Sequence, residues 1–238
     1  TANNTDVDNQ AGGEQLTPLF ADPGVSVNEI PAGTPGTTVT TTVILSNNGS
    51  TTTTFTTTVV INGATTTLVN TLAPNTTESV VISVPLTATG ATVTATITDS
   101  SVPDSNLGNN SDSENAGALF ADVTTEVDLP ANAPAGTVVT GTVVFTNSAA
   151  AGATASAVVG TVTLSNGESY TYSVGDLTPG TSATRTFTTT VPSTLGTVLE
   201  VTSTVATATP ESNTANNTDV DNQAGGEQLT PLFADPGV

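Results

Sequence analysis

The chain has 238 residues and a formal net charge of −20, with one basic residue (Arg185), 21 acidic ones, and no cysteine, methionine, tryptophan or histidine. Without Cys, His or Lys there is no disulfide, thiol nucleophile, Ser-His-Asp relay, Schiff base or Lys–Asn isopeptide link, and no zinc or copper site of the usual ligand type. So negative a chain repels nucleic acid and anionic membrane, and its apolar runs are too short to insert directly into a bilayer.

Threonine supplies close to a quarter of the residues, and Val, Ala, Leu and Ile dominate a hydrophobic fraction of 35%. That mixture favours strands and is too rich in β-branched residues for a disordered acidic chain. In chain order, Val39, Thr41, Val43 and Leu45 alternate with mostly polar positions until Asn48-Gly49 turns the chain. Asn48-Gly49 is thus read as a first hairpin; Phe55, Thr57, Val59 and Ile61 continue the period of two, and Asn62-Gly63 marks the next hairpin. Further strands are expected at Val80–Val84 and across Val93, Ala95 and Ile97. The second half repeats the scheme with Val139, Val143, Phe145 and Val159, a hairpin at Asn166-Gly167, Tyr170 and Tyr172, then Leu199, Val201 and Val205. The expected core is Val39, Val43, Leu45, Phe55, Val59, Ile61, Val93 and Ile97 in the first half and Val139, Val143, Phe145, Val159, Leu199, Val201 and Val205 in the second, and prolines fall between the runs as strand interiors require.

Residues 1–25 and 214–238 are identical, which fixes a tandem period of 213 residues. Inside it, GTTVTTTVILSN from Gly36 parallels GTVVTGTVVFTN from Gly136, and NLGNNSDSEN (Asn106–Asn115) parallels NTANNTDVDN (Asn213–Asn222). The string LFAD occurs at Leu19, Leu119 and Leu232. The expected organisation is a closing segment of a preceding repeat at 1–20, domain A at 21–117, a joint at 118–120, domain B at 121–228, and a joint with the start of the next repeat at 229–238. Leu119 and Phe120 are expected to pack into the joint. Six or seven strands per hundred residues, with one apolar and one Thr-rich face, predict tandem immunoglobulin-like β-sandwiches in an elongated array.

This layout, with an AD opening, a GTxVTxTVxxxN strand and a DSNxxNN or ESNxxNN closing turn, resembles the Ig-like repeat domains of bacterial and archaeal surface proteins. The similarity is greatest to the cell-adhesion-related domain found in bacteria. The resemblance implies an extracellular or cell-surface location and a structural role without catalysis: a repeat of a giant adhesin stalk or surface filament. Its partners would be neighbouring copies in the same chain and lateral fibre contacts. The polar stretches after each NN dipeptide depart from the family and predict a short final strand. A glycan- or ligand-binding surface module, and a noncovalent filament subunit that donates a strand to its neighbour, are the alternatives. The sequence names no ligand for a tip domain.

The candidate site is the acidic, Asn-rich closing turn of each half. Domain A offers Asp99, Asp104, Asn106, Asn109, Asp112 and Glu114; domain B offers Glu211, Asn213, Asn216, Asp219 and Asp221. Such oxygens suit Ca²⁺, which takes six to eight of them, and a chain with one Arg has few counterions of its own. A cation there would stiffen the domain joints. The competing account is that Asn and Asp shape turns and cap amides while the charge keeps the chain solvated. Asp219 and Asp221 as a glycosidase pair lack the aromatic platforms a sugar site would need. Asn3, Asn48, Asn75, Asn109 and Asn216 head N-glycosylation sequons.

Overall fold

A computed structural model describes residues 19–194, 196–221 and 230–232. The expected closing segment 1–20 lies almost wholly outside the described residues, as do 222–229 and 233–238. Within them the chain is all-β and divides into two compact units.

The first unit holds β1 (Pro23–Val27), β2 (Thr38–Asn47), β3 (Thr53–Ile61), β4 (Ala64–Leu72), β5 (Thr76–Pro85), β6 (Ala91–Ser100) and β7 (Ser111–Ala116). They form an antiparallel three-stranded sheet, β1-β2-β5, and a four-stranded one, β4-β3-β6-β7. Period-two alternation sends Val43 and Leu45 of β2 and Val84 of β5 inward from one sheet, and Phe55, Val59, Val93, Ala95 and Ile97 inward from the other. The Thr residues between them mostly face outward, so each strand buries one face only. Val39 and Ile61 are half-buried at the margins of this core.

The second unit repeats the build. Its strands are β8 (Val123–Asp128), β9 (Asn132–Pro134), β10 (Val138–Asn147), β11 (Ala155–Leu164), β12 (Ser169–Leu177), β13 (Ser182–Thr190), β14 (Val201–Ala206), β15 (Thr218–Val220) and β16 (Thr230–Leu232). The sheets are β13-β10-β8 and β12-β11-β14-β15, with a parallel pair β16-β9 beside them. Val143, Phe145, Leu199, Val201 and Val205 are buried and Val139 packs half-buried against them.

Two expectations are corrected. Val159 is 42% exposed, and Val158 takes the core position. The register of β11 against β12 slips on both sides of Val158, and Ala157 adopts φ +51°, so one extra residue inverts the pattern. Asn48-Gly49 does not close a hairpin. It carries the chain from the sheet of β2 to the sheet of β3, whereas Asn62-Gly63 and Asn166-Gly167 do join paired strands.

The corner after β2, and its counterpart after β10, is held by a fully buried asparagine. Asn147 donates through Nδ2 to the carbonyls of Ala153 (3.0 Å) and Leu177 (2.9 Å), and its Oδ1 accepts from the amide of Asp122 (3.1 Å). Asn47 does the same for Thr51, Leu72 and Asp22, at 2.8, 3.0 and 3.3 Å. Both side chains satisfy backbone groups that the sheets leave unpaired at the crossing, which burial away from water requires. They also fix the aspartate that opens each unit.

The seam between the two sheets is closed differently in each unit. In the second, the hydroxyls of Tyr170 and Tyr172 on β12 donate to the carbonyls of Thr188 and Thr186 on β13. Burial, and then the neighbouring Tyr170, push the Tyr172 phenol above its ordinary value. Arg185 shares the alternating face of Phe187 on the edge strand β13 and donates to the Thr184 carbonyl. An inward-set charge of this kind discourages edge-to-edge pairing. In the first unit, Asn70 of β4 donates to Glu78 of β5 at 2.8 Å.

Candidate functional site

Each closing turn is pinned to the start of its own unit by backbone pairing. In the first, Ala21 donates to the Pro103 carbonyl (3.1 Å) and accepts from Ser105 (2.9 Å); in the second, Ala121 pairs likewise with Pro210 and Ser212 (3.0 and 2.9 Å). That pairing brings side chains about 90 positions apart in sequence into one network.

In the first unit Asp104 accepts from the Asn106 amide (2.9 Å) and from Asn110 Nδ2 (2.8 Å), while Asn106 Oδ1 accepts from Gly108 and caps the short 3₁₀ turn Leu107–Asn109. Asn109 Nδ2 donates to Asp22 at 2.9 Å. Asp112 reaches across to the opposite sheet and accepts the Val27 amide at 2.7 Å. Asp99 stands apart from this network, lining a shallow depression of about 260 Å³ with Asp104, Leu107 and Asn110. Glu114 sits further along β7, opposite Val93.

The second unit reproduces the arrangement. Glu211 takes the place of Asp104 and accepts from Asn217 Nδ2 (2.9 Å) and the Val123 amide (3.1 Å). Asn213 Oδ1 accepts from Ala215 (3.0 Å), and Asn216 Nδ2 donates to Asp122 (2.9 Å). Asp219 and Asp221 accept the amides of Val127 (2.7 Å) and Leu129 (3.0 Å). Thus the aspartates at alternate positions of the closing segment satisfy alternate amides at the end of β8 and just beyond it.

Carboxylates that accept backbone amides act first as structural caps. Four oxygens of the closing turns lack such a partner. Oδ1 of Asn109, Asn110, Asn216 and Asn217 is shielded from solvent and accepts no hydrogen bond among the described residues. Among the same residues, no three His, Cys, Asp or Glu side chains gather as a metal cluster. Asp22, Asp122, Asn110 and Asn217 belong to the network but were not singled out from the sequence. The recurrence of AD and of the doubled NN was the available signal.

No protein-family model matches the chain, and no curated protein matches it significantly. Solved structures do. The CARDB domain of a Pyrococcus furiosus protein, crystallised in complex with di-metal ions, is 19% identical, with a TM-score of 0.39 over 43% of this chain and 97% of that one. The solution structure of the same domain is 20% identical, with a TM-score of 0.36 over 42% and 95%. Red sea bream transglutaminase is 13% identical, with a TM-score of 0.34 over 93% of this chain and 32% of the other.

Proposed function

We propose that the chain is a structural repeat of a large extracellular surface protein, the stalk of an adhesin or the body of a surface filament, built from tandem Ig-like sandwiches. The observation that carries this reading is the 25-residue identity between residues 1–25 and 214–238, which frames two units of the same strand order. A composition without Cys, His or Lys supports a mechanical rather than a catalytic role. Each unit owns a core, so repetition extends reach without new long-range contacts. Native material run on a denaturing gel is expected to give a species far larger than 23.5 kDa. Limited proteolysis should then give a ladder spaced by the 213-residue period. A single boiled band at the mass of this chain would sink the covalent array.

Calcium at the closing turns is the second part of the proposal. It rests on the four unpartnered carboxamide oxygens, which sit beside the network of Asp22 and Asp104 or of Asp122 and Glu211. A shielded oxygen without a donor costs about 1–3 kcal/mol, and a bound cation removes that cost. With an affinity in the weak extracellular range of about 10⁻⁴–10⁻³ M, 10 mM Ca²⁺ is expected to stabilise each site by about 1.4–2.7 kcal/mol. Calorimetry with calcium and with chelator measures this, and Asn109→Ala with Asn216→Ala should abolish the difference. Identical melting in both buffers would leave the turns as caps alone.

A further inference from the structure

The fold separates sequons that the sequence leaves equal. Asn109 and Asn216 donate Nδ2, the atom to which a sugar would be joined, to Asp22 and Asp122. A glycan on either would lift the closing turn from its unit. Asn48 is exposed, but its sequon lies flat against the opening of the unit. A Cβ on Gly49 would sit 2.6 Å from Ala21, and the Ser50 hydroxyl bonds the Phe20 backbone at 3.3 Å. Asn3 lies outside the described residues. Asn75 differs from all of these. It is exposed in the turn between β4 and β5, and its side chain makes no hydrogen bond among the described residues. The hydroxyl of Thr77, two positions on, is equally exposed and equally without one.

The second unit builds the same turn without a sequon. Asn75 and Gly180 both adopt positive φ, at +57° and +78°, and donate their amides to the carbonyls of Asn47 and Asn147 at 2.7 and 2.8 Å. Thr76 and Thr181 close the two turns alike, through hydroxyls bonded to the carbonyls of Ala73 and Thr178. Glycine fits this left-handed position at least cost, so the turn itself does not require asparagine. The edges beside the turn differ too. β4 and β5 are free edges of their sheets, with Val69 and Val81 67% and 69% exposed. They carry neither the tyrosines nor the arginine that β12 and β13 set along theirs. We propose that Asn75 is an N-glycosylation site, and that its oligosaccharide shields these two edges from pairing with other chains. Nδ2 bonds to the anomeric carbon of an oligosaccharide carried on a lipid diphosphate, and that carbon's bond to the diphosphate oxygen breaks. The diphosphate leaves with the electron pair, and the Nδ2 proton passes to a base of the transferase. The inference rests on the extracellular reading, because such donors serve proteins that leave the cytoplasm.

Native protein cut after Leu72 and Leu86 yields a peptide, 73–86, that contains Asn75 and no other sequon. Mass spectrometry should find an oligosaccharide on most copies of it, and none on peptides carrying Asn48, Asn109 or Asn216. Thr77→Val keeps a β-branched residue in the strand but removes the hydroxyl, and should abolish the sugar; Thr77→Ser should retain it. Asn75→Gly copies the turn of the second unit. It should melt as the unglycosylated wild type does, lack the sugar, and aggregate severalfold faster than the native protein. A bare 73–86 peptide from material that still gives the 213-residue ladder would overturn the glycan and leave the array standing. A sugar on Asn75 in material without the ladder would do the reverse. Sugar on Asn109 or Asn216, or sugar that survives Thr77→Val, would overturn the assignment. An Asn75→Gly protein that aggregates no faster would overturn the shielding of the edges.

Discussion

Phe145→Ala is expected to destabilise the second unit by about 3–5 kcal/mol and to lower one of two melting transitions by at least about 12 °C, leaving the other in place. Phe145 is fully buried, tilted against Tyr172 at a centroid distance of 6.2 Å, and its ring tip lies over Gly160. A Cβ on Gly160 would sit 2.0 Å from the ring Cζ, so the large residue on β10 exists only because β11 offers none. The first unit solves the same position with Leu45 and Thr57: the register sets Thr57 against Ile97 as it sets Gly160 against Val205. Gly160→Ala alone should therefore overpack the core at about 1–3 kcal/mol. Combined with Phe145→Leu it should cost less than the sum of the two single changes, with a coupling of at least about 1 kcal/mol. Calorimetry of the four variants decides it. Additive losses, or a shift of both transitions, would show that Phe145 and Gly160 are not a matched pair.

The second large effect is expected at Asn147. Replacing it with Ala strands the carbonyls of Ala153 and Leu177 and the amide of Asp122 inside the unit. At about 1–3 kcal/mol for each buried group left unpaired, the loss should be at least about 3 kcal/mol, larger than for a surface Asn such as Asn132. Asp122 holds Asn216, so the closing segment should loosen as well, read as faster amide exchange across 216–220. Asn147→Asp makes a sharper test. It keeps the acceptor but loses the Nδ2 donors and buries a charge, which raises the folded-state pKa of the new carboxyl. Its protonated form is the one the fold tolerates, so stability should recover as pH falls through that raised value and drop as pH rises through it. Denaturant midpoints across pH 4–8 that do not move would refute the corner role.

Much of the strand plan was legible because alternation is a property of the backbone itself. Val43 and Leu45, or Val93 and Ile97, fall on one face of a strand whatever surrounds it. The hairpins at Asn62-Gly63 and Asn166-Gly167 were legible for the same local reason: Asn62, Gly63 and Gly167 adopt positive φ, which Gly and Asn reach at least cost. The bulge at Ala157 was not. No residue type marks it, and it follows from how β11 meets β12 and β14 together. Thr41 and Thr57 follow the same alternation as their neighbours Val43 and Val59, and are buried because both lie on inward faces.

The closing turns divide in the same way. Repetition alone determined where they are, that they occur twice, and most of the Asn and Asp residues that fill them, whereas Asn110 and Asn217 emerge only from their bonds to Asp104 and Glu211. Only the tertiary structure decided what those residues do, because their partners lie on the opening strand of each unit or directly beside it: Asp112 on Val27, Asp219 on Val127, Asp221 on Leu129, Asn216 on Asp122. A carboxylate looks the same in sequence whether it awaits a cation or caps an amide. The choice is made by which backbone groups the sheets leave unpaired within about 3 Å, and that is set by strand order and register, which no single segment contains.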